Sequence, residues 1–174
     1  MTTKALPTKD TEVVPRGYHT VTPWIIARGA SELIGFMEKA FGAEETKGSR
    51  ILDADGLIGH VEVRVGDSVI MLFDAKPAWP MTASFLRLYV ANGEAVYQQA
   101  LGAGAISVTE PTTLFFGEKV ARVRDAWGNI WWIHQRLEEV APAELERRMK
   151  DPTAMKAMMY VQASLDQAMR EPAR

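Results

Sequence analysis

The sequence predicts an α+β fold: two tandem βαβββ modules followed by C-terminal helices. Three observations carry this. A chain of 174 residues has the length of one domain. A strand, helix and three-strand pattern occurs twice, shifted by roughly 62 residues, within the range that marks repeated units. After Gln135 the pattern changes to helices opened by proline. Hydrophobic residues at 47% and charged residues at 24% suit a packed domain rather than a disordered chain.

Several function classes fall away at once. Twenty basic against 22 acidic residues leave a net charge of −2, with no basic field for nucleic acid. The lack of cysteine removes disulfides, thiolate zinc sites and a cysteine nucleophile. No apolar run approaches the roughly 18 residues of a membrane span, and the opening MTTKALPTKDTEVVPRG has no secretory apolar segment. A cytoplasmic protein with no membrane partner is expected.

Residues 1–17 lack periodicity and read as a flexible tail. The run VTPWIIA at 21–27 reads as a strand, and ASELIGFMEKAF as a helix with Leu33, Phe36, Met37, Ala40 and Phe41 at helical spacing. Ser31 is expected to cap its start and Gly42 its end. Strands then follow at about 44–52, at GHVEVRVGD and at SVIMLFDA, the last two joined by a turn at Gly66-Asp67. In HVEVRV, Val61, Val63 and Val65 share one face and should pack under a helix; His60, Glu62 and Arg64 share the other. The pattern restarts with a strand at SFLRLYV, a helix at GEAVYQQALGAGA and strands near 106–115, 118–124 and 130–135. Pro142 and Asp151-Pro152 open two final helices, the second bearing a stripe of Met155, Met158, Met159, Val161, Leu165 and Met169. That stripe is expected to pack on the domain or a partner subunit; a methionine lid over a ligand is the alternative. The organisation is a tail at 1–17, a domain at 18–136 with modules at about 18–78 and 82–136, and a helical extension at 137–174.

With FMEKAFGA closing the first helix, GH and an acid on a strand at Gly59 to Glu62, and a D-x-x-G-N turn at Asp125 to Asn129, the chain resembles the vicinal oxygen chelate superfamily. This is the family of glyoxalases, bleomycin-resistance proteins and dioxygenases, and the likeness is to its bacterial glyoxalase-like branch. The resemblance spans about residues 18–136. It implies a half-open, cup-shaped sheet around a cavity, in a homodimer. It also implies four ligand positions for a divalent ion, on the first and last strand of each module.

Carried across by the FMEKAFGA and DAWGN anchors, those positions fall on Thr22, Met71, Phe85 and Trp132, which are not ligands for a hard divalent ion. No metal and no other cofactor is therefore expected. The same resemblance turns one strand face into the cup, giving a wall of Trp24, Met71, Phe73, Phe85, Tyr89 and Trp132, with Thr22, Arg87 and His134 as polar neighbours. Such a wall suits a small, partly aromatic molecule, although it is equally what a filled core would contain.

His60 and Glu62 are the expected acid/base pair, because residues i and i+2 on a strand point the same way roughly 6.5 to 7 Å apart. The bland alternative is a solvated strand face. His134 would complete a metal site only if it converged with them from another strand. His19 is expected on the surface. Arg87, Arg122 and Arg124 offer cationic recognition of an anionic substrate, since guanidinium suits carboxylate or phosphate; with a bulge near Trp127-Gly128 leaving the face of Arg122 and Arg124 open, solvated cations are the default there. The glycines of GAGA at 102–105 follow a helix rather than a strand, so they make no phosphate loop. The leading reading is a metal-free, glyoxalase-like protein that binds a small organic molecule by sequestration or acid/base chemistry. A metal-dependent lyase, isomerase or dioxygenase and a non-catalytic structural dimer stay open beside it.

Overall fold

A computed structural model describes residues 12–170; the expected tail before residue 12 lies outside the described residues, as do 171–174. The first module runs β1 (Trp24–Ala27), α1 (Ala30–Phe41), β2 (Glu44–Glu45), β3 (Ile51–Leu52), β4 (Ile58–Val65) and β5 (Ser68–Asp74). The second runs β6 (Phe85–Tyr89), α2 (Gly93–Gly102), β7 (Ile106–Leu114), β8 (Glu118–Arg124) and β9 (Ile130–Arg136), followed by α3 (Pro142–Arg148) and α4 (Pro152–Arg170). The α+β class and the repeated module are therefore present. No helix among the described residues is long and apolar enough to cross a membrane.

Each module builds its sheet in the same way. The first has the order β1-β5-β4-β2, with β3 also on β4; the second has β6-β9-β8-β7. In both, the first strand lies parallel to the last, and the remaining pairs are antiparallel. The turn at Gly66-Asp67 closes the β4–β5 hairpin, with Gly66 at φ 59 supplying the left-handed backbone that a two-residue loop needs.

Two local expectations are corrected. The single strand at 44–52 is two short pieces, because the chain turns between them: Ser49 N–H donates to Thr46 O, with Gly48 at φ 79. Ser31 does not cap α1. The cap residue is Gly29 at φ 84, and the cap is supplied through space by Asp74, whose Oδ1 accepts from Gly29 N–H (3.0 Å) and Ala30 N–H (2.8 Å). The Ser31 hydroxyl accepts instead from Arg50 Nη1. Gly42 ends the helix as expected, at φ 65, with its N–H on Glu38 O and that of Ala43 on Met37 O.

The two sheets do not pair with each other; the modules join through their helices. Leu33, Ile34, Met37 and Ala40 recur at helical spacing and are buried against Ile25, Val61, Val63 and Leu72, so the valine face of HVEVRV does pack under a helix. The same core continues into Tyr97, Ala100, Val123, Trp131 and Ile133 of the second module. Phe41 meets Trp131 at 4.6 Å between ring centroids, and Trp127 Nε1–H reaches across to Arg28 O at 2.8 Å.

The DAWGN turn is a structural clasp. Asp125 Oδ1 accepts from Trp127 N–H and Asn129 N–H, while Oδ2 accepts from Asn129 Nδ2 and Trp131 Nε1, all at 2.8 to 2.9 Å. Asn129 Oδ1 in turn accepts from Ser84 N–H at the entry to β6. Burial pushes the Asp125 carboxyl above its ordinary range, and the four donors pull the other way.

The methionine helix α4 docks on the outer face of the second sheet. Val161 packs with Leu114 and Val120, flanked by Phe116, Ala157 and Met158. Polar contacts hold its orientation: Thr109 Oγ1 meets Ser164 Oγ at 2.7 Å, Arg122 Nη1 donates to Val161 O at 2.7 Å, and Arg124 Nη2 donates to Ala168 O.

A cavity between the second sheet and helix α4

Strand alternation sets the outer face of the second sheet. On β6, Leu86 and Leu88 turn toward the core while Phe85, Arg87 and Tyr89 turn outward. On β9, Trp131 and Ile133 turn inward, leaving Trp132 and His134 on the other face. The register places Arg87, Trp132 and Arg122 in one row across three strands, and Tyr89, His134 and Val120 in the next. Where α4 crosses this face it leaves a cavity of about 730 Å³, within the usual range for a small-molecule site. The sheet supplies Arg87, Tyr89, Glu118, Arg122, Trp132 and His134, and the helix supplies Met158, Val161, Gln162, Leu165 and Met169. Of the stripe, Met158, Val161, Leu165 and Met169 roof the cavity, whereas Met155 and Met159 are exposed away from it.

Three buried polar atoms among the described residues have no hydrogen-bond partner: Arg122 Nε, Trp132 Nε1 and His134 Nε2. All three side chains line this cavity. An unmet buried polar group costs about 1 to 3 kcal/mol, and three of them belong to side chains around one space. A second cleft of about 700 Å³, between Pro23 and Val69 of the first module and Leu86 and Leu88 of the second, has no such atoms.

His134 is 4% exposed, and its Nδ1 lies 2.6 Å from Glu118 Oε2. A carboxylate can only accept, so Nδ1 carries the proton and Nε2 is left with an unpartnered lone pair. Burial holds the imidazole below its ordinary value and the two arginines add to this; Glu118 opposes them. The ring is therefore neutral at pH 7. The sign of its effect on stability follows. Below the ordinary imidazole value of about 6.5 the unfolded chain takes up a proton that folded His134 resists, so this contribution is present above that pH and lost as pH falls below it. Thermal melts from pH 7.5 to 5.5 are expected to show a smaller pH-dependent loss in His134→Gln than in the native chain; identical slopes would refute this.

The structure divides the residues expected in the wall. Arg87, Tyr89, Trp132 and His134 come together at the cavity. Phe85 shares their face but is 58% exposed beyond it. Thr22, Trp24, Met71 and Phe73 belong to the first module, where the Trp24 and Phe73 rings meet edge-on at 5.2 Å and Trp24 is 60% exposed. His60 and Glu62 do face each other, Nε2 to Oε1 at 3.5 Å, and Glu62 sits opposite Met71 in the first sheet. The Tyr18 hydroxyl hydrogen-bonds to Glu62, which raises its pKa. This pair and His134 stand on different sheets. His19 is exposed, as expected.

Two cavity residues escaped sequence reasoning. Arg122 was expected in solvent and is 6% exposed; Glu118 was not singled out. The β8–β9 ladder runs without a bulge, so counting back across the hairpin from Trp132 places Arg122 directly opposite. The register shifts occur instead between β7 and β8.

The four positions at which the resemblance places metal ligands do not fit a divalent ion. Thr22 offers one hydroxyl, and Met71, Phe85 and Trp132 offer no hard oxygen or imidazole donor. Among the described residues no three His, Cys, Asp or Glu side chains are grouped to hold one.

A family model described as the glyoxalase/bleomycin resistance protein/dioxygenase superfamily matches residues 18–133. An uncharacterized protein of Mycobacterium tuberculosis, Rv0887c, is 30% identical over 140 residues, covering 74% of this chain and 81% of that protein. Among solved structures, TioX from Micromonospora sp. ML1 superposes with a TM-score of 0.56 at 19% identity, covering 67% of this chain and 97% of its own. A glyoxalase/bleomycin resistance protein/dioxygenase family enzyme from Burkholderia phytofirmans superposes with a TM-score of 0.55 at 19% identity, covering 70% and 98%. With the two-module architecture and a family match over most of its length, the chain belongs to the glyoxalase/bleomycin resistance protein/dioxygenase superfamily.

Proposed function

We propose that this protein binds a small, partly aromatic organic molecule, without a metal, in the cavity between the second sheet and α4. The observation that carries this reading is a cavity roofed by a methionine-bearing helix and walled by Arg122, Trp132 and His134, each with a buried side-chain nitrogen that has no partner. Tyr89 supplies a ring, Leu165 and Met158 supply apolar surface, and the polar side chains of the wall orient the guest. Calorimetric titration with naphthalene-2-carboxylate in buffer containing a chelator tests it. Saturable binding that weakens at least tenfold in Trp132→Ala is expected; binding that requires added metal, or none at millimolar probe, overturns it.

Sequestration needs nothing more than this cavity. One observation supports acid/base chemistry as a second reading: His134 lines the cavity with Nε2 unpartnered while Glu118 holds Nδ1. On that reading Nε2 accepts a proton from the guest and Glu118 stabilises the resulting imidazolium. The acid/base pair is then His134 and Glu118 rather than His60 and Glu62. A homodimer belongs to the proposal as well, supported by the outward aromatic groups Trp24 and Phe85, which a second copy would cover. Sedimentation at micromolar concentration distinguishes a dimer from a monomer, and Trp24→Lys is expected to shift it toward monomer.

A further inference from the structure

The charge around Trp132 narrows the class of guest. Arg122 is buried with no carboxylate beside it. Its Nη1 is committed to Thr109 Oγ1 at 3.0 Å and Val161 O at 2.7 Å, whereas Nε has no partner. Nη2 makes no hydrogen bond within the described residues, and Arg122 lines the cavity, so this guanidinium keeps an unused N–H₂ group suited to a carboxylate oxygen.

Arg87 adds a second cation. Its Cζ lies 5.0 Å from the Trp132 ring centroid and that of Arg122 lies 4.0 Å away, so one indole serves two guanidinium groups. Arg87 has no ion pair among the described residues. The two carboxylates that border the cavity are already engaged, Glu118 with His134 and Asp166 with Arg170. Burial and the neighbouring Arg87 push the Arg122 guanidinium down to about 10, which still leaves it charged at neutral pH. Two cations on one ring, one of them desolvated, lack the counter-charge that such a cluster ordinarily has.

We infer that the guest of this cavity is an organic carboxylate, its anionic end seated on Nη2 of Arg122 with Arg87 beside it, and its apolar part lying under α4. This rests on the reading that the cavity is the ligand site, and the test separates the two. Calorimetry compares naphthalene-2-carboxylate with naphthalene-2-carboxamide, which has nearly the same shape and no charge. The carboxylate is expected to bind about 10- to 100-fold more tightly, the range for hydrogen bonds to a charged group. Arg122→Met should reduce that preference to within a few-fold, and Arg87→Met, at an exposed position, should reduce it partway with the fold intact by circular dichroism. Should Arg122→Met fail to fold, the Arg87→Met comparison decides: an unchanged preference overturns the assignment. Equal binding of the two probes to the native chain overturns the carboxylate assignment while leaving the cavity reading in place. Binding of neither overturns both.

Discussion

Asp125→Ala is expected to destabilise the protein by about 3 to 5 kcal/mol, because several buried donors lose one acceptor at about 1 to 3 kcal/mol each. Four donors lose it together: two backbone N–H groups, the Asn129 amide and the Trp131 indole. Asp125, Asn129 and Trp131 are all buried, so water reaches most of these groups poorly. The loss spreads beyond the turn, since Asn129 also holds the entry to β6 and Trp131 packs against Phe41 of α1. Asp125→Asn keeps the shape but turns an amide N–H₂ toward a donor, so an intermediate loss is expected. Urea unfolding at pH 7 measures both variants, and an alanine variant within about 1 kcal/mol of the native chain would refute the account.

Detaching α4 is expected to abolish probe binding. The helix supplies the roof of the cavity through Met158, Leu165 and Met169, and its loss exposes Leu114, Val120 and Phe116. Arg122 would lose Val161 O, and Thr109 would lose Ser164 Oγ. Because truncation also exposes apolar surface that promotes aggregation, a point variant is the cleaner test. Val161→Asp places a charge where the side chain is buried among apolar groups, and it should weaken binding of naphthalene-2-carboxylate at least tenfold while the clasp at Asp125 keeps both sheets folded. Unchanged affinity in Val161→Asp would show that the helix does not form the site.

Local patterning made most of the fold legible. Valines at every second position of β4 and apolar residues at helical spacing in α1 each report the face they bury, because neighbours along the chain impose that geometry. The exceptions were groups supplied from elsewhere. Asp74 caps α1 from 44 residues downstream of Ala30, so the nearest serine was the wrong place to look. The candidate site was half legible. Alternation pairs Arg87 with Tyr89 and Trp132 with His134, and the family resemblance put both pairs on one wall, but Glu118 and Arg122 required the unbroken register of the β8–β9 hairpin.

The sequence by itself determined the α+β class, the duplicated module, the family resemblance and the absence of ligand chemistry at Thr22, Met71, Phe85 and Trp132. These follow from residue identity and from periodicities that act within a few residues. Only the tertiary structure decided that the aromatic wall is divided between two unpaired sheets, that α4 covers the second of them, and that Arg122 lies beneath it. The physical reason is that an amphipathic stripe specifies that a helix must bury one face without specifying where. That choice came from contacts more than thirty residues apart, such as Arg122 with Val161 and Thr109 with Ser164.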